Sequence, residues 1–147
     1  MAAVDYHGIL VALKAAIEGD SNTSGIPVKV EEDPTFDLAG SGSAIVLSLT
    51  SRREAAGQPL AAGKRTRWNV RVSCWAVGFA ATFDEASKLR DDATGKLELA
   101  LMNNRTAGGK VAAGWLEGGD FITVRDQAAG PYAMAETIFV GEALAIA

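Results

Sequence analysis

The segment 67–77 shows the most regular alternation of apolar and polar side chains in the chain. Its apolar positions are Trp68, Val70, Val72 and Cys74. Its polar positions are Arg67, Asn69, Arg71 and Ser73. Successive side chains of a strand point to opposite faces, so the pattern predicts a strand with one face in the core and one in water. A sheet that is apolar on one face needs helices on that face only, which favours an α+β fold.

Two segments have the period of helices that could cover this face. In the first, residues 4–18, the apolar stripe has spacings of four, three and four and consists of Tyr6, Leu10, Leu13 and Ile17. In the second, Thr82 and Glu85 form a capping box that opens a helix reaching about Met102. Its buried stripe is predicted to contain Leu89, Ala93, Leu97 and Ala100 or Leu101. Gly95 lies off that stripe and should cost about 1 kcal/mol relative to alanine.

Strands are predicted where short apolar or alternating runs are bounded by turn residues. Their ranges are 26–31, 44–50, 67–77, 120–126 and 132–140. Pro27 places the first strand at a sheet edge or at a strand start, because proline cannot donate to a ladder. The second and third strands form a long hairpin with a mobile, basic tip, and residues 105–119, with five glycines, are predicted to be a loop.

The predicted order is therefore α-β-β-β-α-β-β. It corresponds to a mixed or antiparallel sheet of about five strands, with two helices packed on one face. The length of 147 residues fits a single domain over 1–147, and 48% hydrophobic residues suffice for a core without disulfides or metal.

Residues with reactive side chains are few and scattered. His7 is the single histidine and is expected on a helix surface, whereas Cys74 is expected to be a core thiol. Asp91 and Asp92 are adjacent on a helix and should diverge. Two glycine-rich segments, Gly40–Gly42 and Gly108–Gly109, lack the spacing of a phosphate-binding loop. We therefore predict no enzyme activity and no catalytic, cofactor-binding or metal-binding residues.

The charge of the chain is unevenly distributed. The net charge is −4, yet residues 51–71 contain six basic side chains and one acidic side chain. A basic loop of this kind indicates either a nucleic-acid contact, a solvated surface, or a contact with an acidic patch on another subunit. The third reading gives the candidate interface residues: Arg52, Arg53, Lys64, Arg65, Arg67, Arg71, Glu31, Glu32, Asp33 and Asp37.

The cellular location is predicted from what the sequence lacks. One cysteine allows no internal disulfide, the amino terminus has no signal-peptide pattern, and no apolar run reaches about 18 residues. The expected compartment is the cytosol.

The order of elements resembles the tail-terminator (minor tail protein U-like) family of long-tailed bacteriophages. The segments that carry the resemblance are YHGILVALKAAIEG, IPVKVEED, RWNVRVSCWAVG, TFDEASKLRDDATGKLELAL, DFITVRDQ and YAMAETIFVGEAL. The match covers nearly the whole chain, apart from the glycine-rich stretch between the second helix and DFITVRDQ.

This resemblance implies a structural protein of the virion tail, assembled in the host cytoplasm. Family members form a ring, typically a hexamer, at the head-proximal end of the tail tube, where they stop tube growth and provide the head-joining surface. The implied partners are other copies of the chain, the tail-tube protein and a head-completion or connector protein. No membrane is expected, and nucleic acid is expected only as DNA passing through the ring.

Three alternative hypotheses stay open on the sequence. The enzyme hypothesis is a small α+β hydrolase or isomerase that uses His7 or paired carboxylates, and its motivation is only that such folds can host active sites. A different head–tail connector or tail-completion protein would share nearly all of these features. A double-stranded-RNA-binding module has the order α-β-β-β-α, but it requires basic residues at the start of its second helix, where this chain has Asp84 and Glu85.

Overall fold

A computed structural model describes residues 3–31, 41–54, 68–126 and 130–143. The helices and strands are α1 (Tyr6–Glu18), β1 (Val28–Val30), β2 (Gly42–Glu54), β3 (Trp68–Phe79), α2 (Phe83–Asn103), β4 (Val111–Asp126) and β5 (Gly130–Ala143). A short 3-10 turn, Ser21–Thr23, follows α1. The predicted α-β-β-β-α-β-β order is confirmed.

Both helices begin at side-chain caps that the sequence provides. The Asp5 carboxylate accepts a hydrogen bond from the Gly8 backbone N–H at 2.9 Å, and the Thr82 hydroxyl accepts one from the Glu85 N–H at 3.3 Å. Each bond satisfies a donor that the first helical turn leaves unpaired. Within the described residues, neither helix is long and apolar enough to cross a membrane.

The sheet has the strand order β1-β2-β3-β5-β4. β1 pairs with β2 in parallel, and the other three pairings are antiparallel, so the sheet is mixed. β2 and β3 form the predicted hairpin, paired from Gly42 opposite Phe79 to Glu54 opposite Trp68. The predicted tip of this hairpin, residues 55–67, lies outside the described residues.

The prediction of a loop over 105–119 is wrong for its second half, since β4 begins at Val111. The glycines there are positions of close approach between strands. A Cβ on Gly114 would lie 2.6 Å from the Phe139 ring, and a Cβ on Gly119 would lie 2.6 Å from the Glu136 carbonyl oxygen. A strand that packs this tightly requires glycine. The same residues that look like loop formers in the sequence are therefore needed within the strand.

The main core lies between the helices and one face of the sheet. Its members come from both helices and from alternate positions of the central strands, and they include Leu10, Leu13, Ile17, Ile45, Leu47, Val70, Val72, Cys74, Leu97, Leu101 and Phe139. This arrangement confirms that the two helices cover one face. It also confirms the predicted inward side of β3.

The opposite face of the sheet is only partly polar. At one end it carries Arg71 and Ser73, as predicted. Towards the other end of β3 the same face carries Trp75, Val77 and Phe79, which pack in a second apolar cluster with residues of β4 and β5. The alternation in the sequence predicted that this face of β3 is polar along the whole strand. The prediction is correct only up to Ser73.

Gly95 offers a direct test of helix energetics. It lies in the middle of α2 on an exposed face, and a Cβ there would meet no atom within 4 Å. Alanine reduces the conformational freedom of the unfolded chain without a clash in the folded state. We expect Gly95→Ala to raise the free energy of unfolding by about 1 kcal/mol in urea titrations. An unchanged or lowered value would contradict this placement.

Candidate assembly surface

Arg52 lies at the end of β2, on the side of the sheet that carries the helices. Its guanidinium donates to the Tyr6 hydroxyl at 2.6 Å and lies over two aromatic rings, those of Tyr6 at 5.1 Å and Trp68 at 4.6 Å. A bulge at Thr50 shifts the register of β2 against β3 just before this position. The cation is thus held in place by aromatic contacts while it remains exposed at the surface.

Arg71 lies on the opposite face of the sheet and forms an ion pair with Glu117 of β4, reaching across β5. The hydrogen bond from Arg71 holds the pKa of the Glu117 carboxyl below its usual range, and the same bond raises the pKa of Arg71. The Trp115 indole N–H also donates to Glu117, at 3.5 Å. This pair links the centre of the sheet to the strand at its edge.

The Arg71–Glu117 pair predicts a pH dependence of stability. Because folding lowers the pKa of Glu117, its contribution is complete above the unfolded-state pKa and disappears as the pH falls through the folded-state value. We expect Glu117→Gln to be less stable than wild type near pH 7, with a difference that closes in acid. Urea titrations at several pH values measure it. A difference that is constant with pH would contradict the ion pair.

Beside this pair, a hydroxyl network holds a second acid. The Ser73 hydroxyl donates to the Glu136 carboxylate at 2.7 Å, and the Thr50 hydroxyl lies 2.5 Å from that of Ser73. Glu136 interrupts the apolar side of β5, and this network gives its carboxylate a hydrogen-bond partner on the sheet face.

Glu31 lies where β1 ends, with a positive φ of 57°. Its carboxylate accepts a hydrogen bond from the Leu49 backbone N–H at 3.2 Å. This N–H is the first donor of β2 beyond Ile45–Leu47, the residues that pair with β1. Glu31 therefore closes part of the open side of β2.

The structure brings two of the described candidate residues together and separates the others. Arg53 and Arg71 lie on the same face of the sheet, where both lower the pKa of Glu117. Arg52 lies on the opposite face, and Glu31 is hydrogen-bonded to β2. The remaining candidates lie outside the described residues, and their interface role stays a prediction: Glu32, Asp33, Asp37, Lys64, Arg65 and Arg67.

Sequence reasoning missed the most exposed apolar surface. Met102 at the end of α2 is 60% exposed, and Trp115 and Phe121 of β4 are 41% and 66% exposed. Beside Met102 and Trp115, a pocket of about 300 Å³ opens between the end of α2 and the start of β4, lined mainly by apolar residues. The prediction of a loop over 105–119 concealed Trp115 and the β4 side of this pocket. The pair Trp115-Leu116 was the available signal, since adjacent large apolar residues are typical of a strand.

The reactive residues lie where the sequence placed them. His7 is exposed on α1, and burial raises the pKa of the Cys74 thiol to about 12, which leaves it protonated and inert. Asp91 accepts from Arg90 and Asp92 pairs with Lys96, so the two carboxylates diverge. Across the described ranges, no group of three or more His, Cys, Asp or Glu residues could hold a metal ion.

Of the comparisons with known proteins, only the one with solved structures gave a match. No protein-family model matches the chain, and no curated protein matches it. Among solved structures, the chain is similar to one described as the sheath/tube terminator of an extracellular contractile injection system, PVC, in its extended state. The two are 14% identical with a TM-score of 0.47, and the match covers 100% of this chain and 58% of the other.

Proposed function

We propose that this chain is a tail terminator, a non-enzymatic structural protein of a phage tail. Copies of it form a ring, a hexamer, at the head-proximal end of the tail tube. The ring stops further growth of the tube and provides the surface to which the head is joined. The chain acts in the virion tail after assembly in the host cytoplasm.

The observation that best supports an assembly role is the unpaired edge of the sheet at β4. This strand has 16 residues and pairs with β5 on one side only, within the part of the chain that the structure describes. Monomeric proteins usually shorten, charge or cover such edges, because an unpaired strand is a template for another chain. This strand bears exposed Trp115 on one face and exposed Phe121 on the other, residue types that are enriched at protein interfaces.

The tail-specific part of the proposal is supported by the order of elements. The α-β-β-β-α-β-β order, on which the resemblance to tail terminators rests, is the order in the structure. The proposed partners are other copies of this chain, the tail-tube protein and a head-completion or connector protein. DNA is proposed only as cargo that passes through the ring.

A nucleic-acid-binding module is less well supported. The first turn of α2 carries Asp84 and Glu85, both exposed, where such a module needs phosphate contacts. Arg71, one of the basic candidates, is already paired with Glu117.

Deleting the gene for this chain from the phage genome separates the two tail roles. A terminator is required to stop tube growth, so its loss should give overlong tubes without heads in electron micrographs. A connector or tail-completion protein would instead give headless tails of normal length. Headed tails of normal length after deletion would contradict both roles.

A further inference from the structure

β1 covers only part of the outer side of β2. It pairs with Ile45–Leu47, and Glu31 at its end accepts the next outward N–H, that of Leu49, through its side chain. Beyond Leu49 the outer side of β2 has no partner strand among the described residues, and residues 50–53 are exposed. An unpaired stretch of this kind can accept a strand from another chain.

A groove of about 420 Å³ opens along this stretch, on the helix side of the sheet. Leu49 and Val70 give it an apolar floor, since Val70 belongs to the main core and Leu49 packs against it. The described residues that line the groove are Tyr6, Leu49, Thr50, Ser51, Arg52 and Val70. Arg52 is the one charged side chain in this set, so the groove favours a ligand that is apolar in one part and anionic in another.

Arg52 is already positioned to receive an anion. Its guanidinium lies over the rings of Tyr6 and Trp68 and donates one hydrogen bond, to the Tyr6 hydroxyl. A guanidinium has five N–H donors, so others are left for a carboxylate. Because the two rings restrict the side chain before binding, less conformational freedom is lost when the carboxylate arrives.

The bulge at Thr50 sets the spacing that an added strand would need. Leu49 and Arg52 lie opposite Val72 and Val70 of β3, two positions apart, and both are on the helix side. Alternate residues of a strand share a face. On a strand added to the outer side of β2, a carboxylate facing Arg52 would therefore lie two residues from an apolar side chain over Leu49.

We propose that the outer side of β2 at residues 50–53 binds an extended segment of another protein as an added strand. One carboxylate of that segment contacts Arg52, and an apolar side chain two residues away enters the groove. Main-chain hydrogen bonds supply affinity, while the groove and Arg52 supply specificity. A nucleic acid would offer Arg52 a phosphate, but it would use neither the strand edge nor the apolar floor. This inference goes beyond the proposed function and does not depend on the ring.

Peptide binding to the full chain, followed by fluorescence anisotropy, tests this site. The probe is a labelled peptide, Thr-Asp-Thr-Leu-Thr-Asp-Thr, which has the required spacing in either chain direction. It should bind the wild type, and Arg52→Ala should weaken binding by about tenfold or more, because a hydrogen bond between charged groups is lost. The matched control is Arg90→Ala, which removes an arginine that also lies over an aromatic ring, that of Phe121 in β4. Its binding should be unchanged.

A second probe separates strand addition from simple attraction between charges. The same peptide with N-methyl groups on its backbone keeps both carboxylates and the leucine, but it lacks the N–H donors of a strand ladder. It should not bind the wild type. This comparison needs no variant of the protein, so it is independent of any effect of Arg52→Ala on folding.

Each result decides the proposal. Binding that requires both the peptide N–H groups and Arg52, and that Arg90→Ala leaves intact, supports it. No binding at about 1 mM peptide overturns it. Equal binding by Arg52→Ala, or by the N-methylated peptide, also overturns it. A DNA oligonucleotide that binds through Arg52 where the peptide does not would overturn it in favour of a nucleic-acid contact.

Discussion

Gly78→Ala is expected to lower the free energy of unfolding by about 3 kcal/mol or more, at the upper end of the range for overpacked cores. At this position α2 crosses β3, and an added Cβ would overlap the backbone atoms of Ala86 and Arg90 and lie 3.0 Å from the Leu89 carbonyl carbon. Backbone atoms within a helix cannot rotate away as the end of a side chain can. The helix must therefore move off the sheet to accommodate a single methyl group.

Thermal and urea unfolding measure this effect. For a chain of this length, a loss of that size should lower the Tm by roughly 10 °C. Gly95→Ala is the matched control, since it makes the same chemical change in α2 where the added Cβ is free of contacts. Equal stabilities for the two variants would contradict the close approach of α2 and β3.

Leu97→Ala is expected to lower the free energy of unfolding by about 2–5 kcal/mol. Leu97 is fully buried in the main core, on the face of α2 that packs against the sheet. Truncation removes buried apolar surface and leaves a cavity that packed neighbours fill only in part. The protein should still fold if its total stability lies in the ordinary range of about 5–15 kcal/mol.

Leu99→Ala provides the control for Leu97→Ala on the same helix. Leu99 is 51% exposed, so its truncation should change stability by no more than about 0.5 kcal/mol. Similar losses for the two variants would mean that α2 presents a different face to the sheet. Urea titration of both variants distinguishes these outcomes.

The parts of the fold that follow local rules could be predicted from the sequence. The period of the stripe at Leu10, Leu13 and Ile17 predicted α1, and the capping residue Thr82 predicted the start of α2. The alternation from Trp68 to Cys74 predicted the inward side of β3. Each signal is contained within a few turns of one element, so it requires no knowledge of distant contacts.

The parts that depend on distant contacts could not be predicted. Gly114 and Gly119 were read as loop residues, and the reason for glycine there is the position of Phe139 and Glu136 on the neighbouring strand. The pairing of β5 between β3 and β4 is likewise non-local. The unpaired side of β4 results from these close contacts and from this strand order. It was therefore absent from the predicted interface.

The candidate interface was predicted from charge alone, and charge does not specify which face a side chain occupies. Arg52 and Arg53 are adjacent in sequence, and a strand sends neighbouring side chains to opposite faces. Arg71 has a partner, Glu117, that is 46 residues away along the chain. A count of basic residues therefore overstates how much of that charge is free for another molecule.

The most direct test of the proposed function is to add the purified chain to growing tail tubes of the same phage and image them by negative stain. The terminator role predicts that tube growth stops and that a closed ring is present at one end of each tube. Tubes that continue to lengthen, with the protein unbound or spread along their sides, would contradict it.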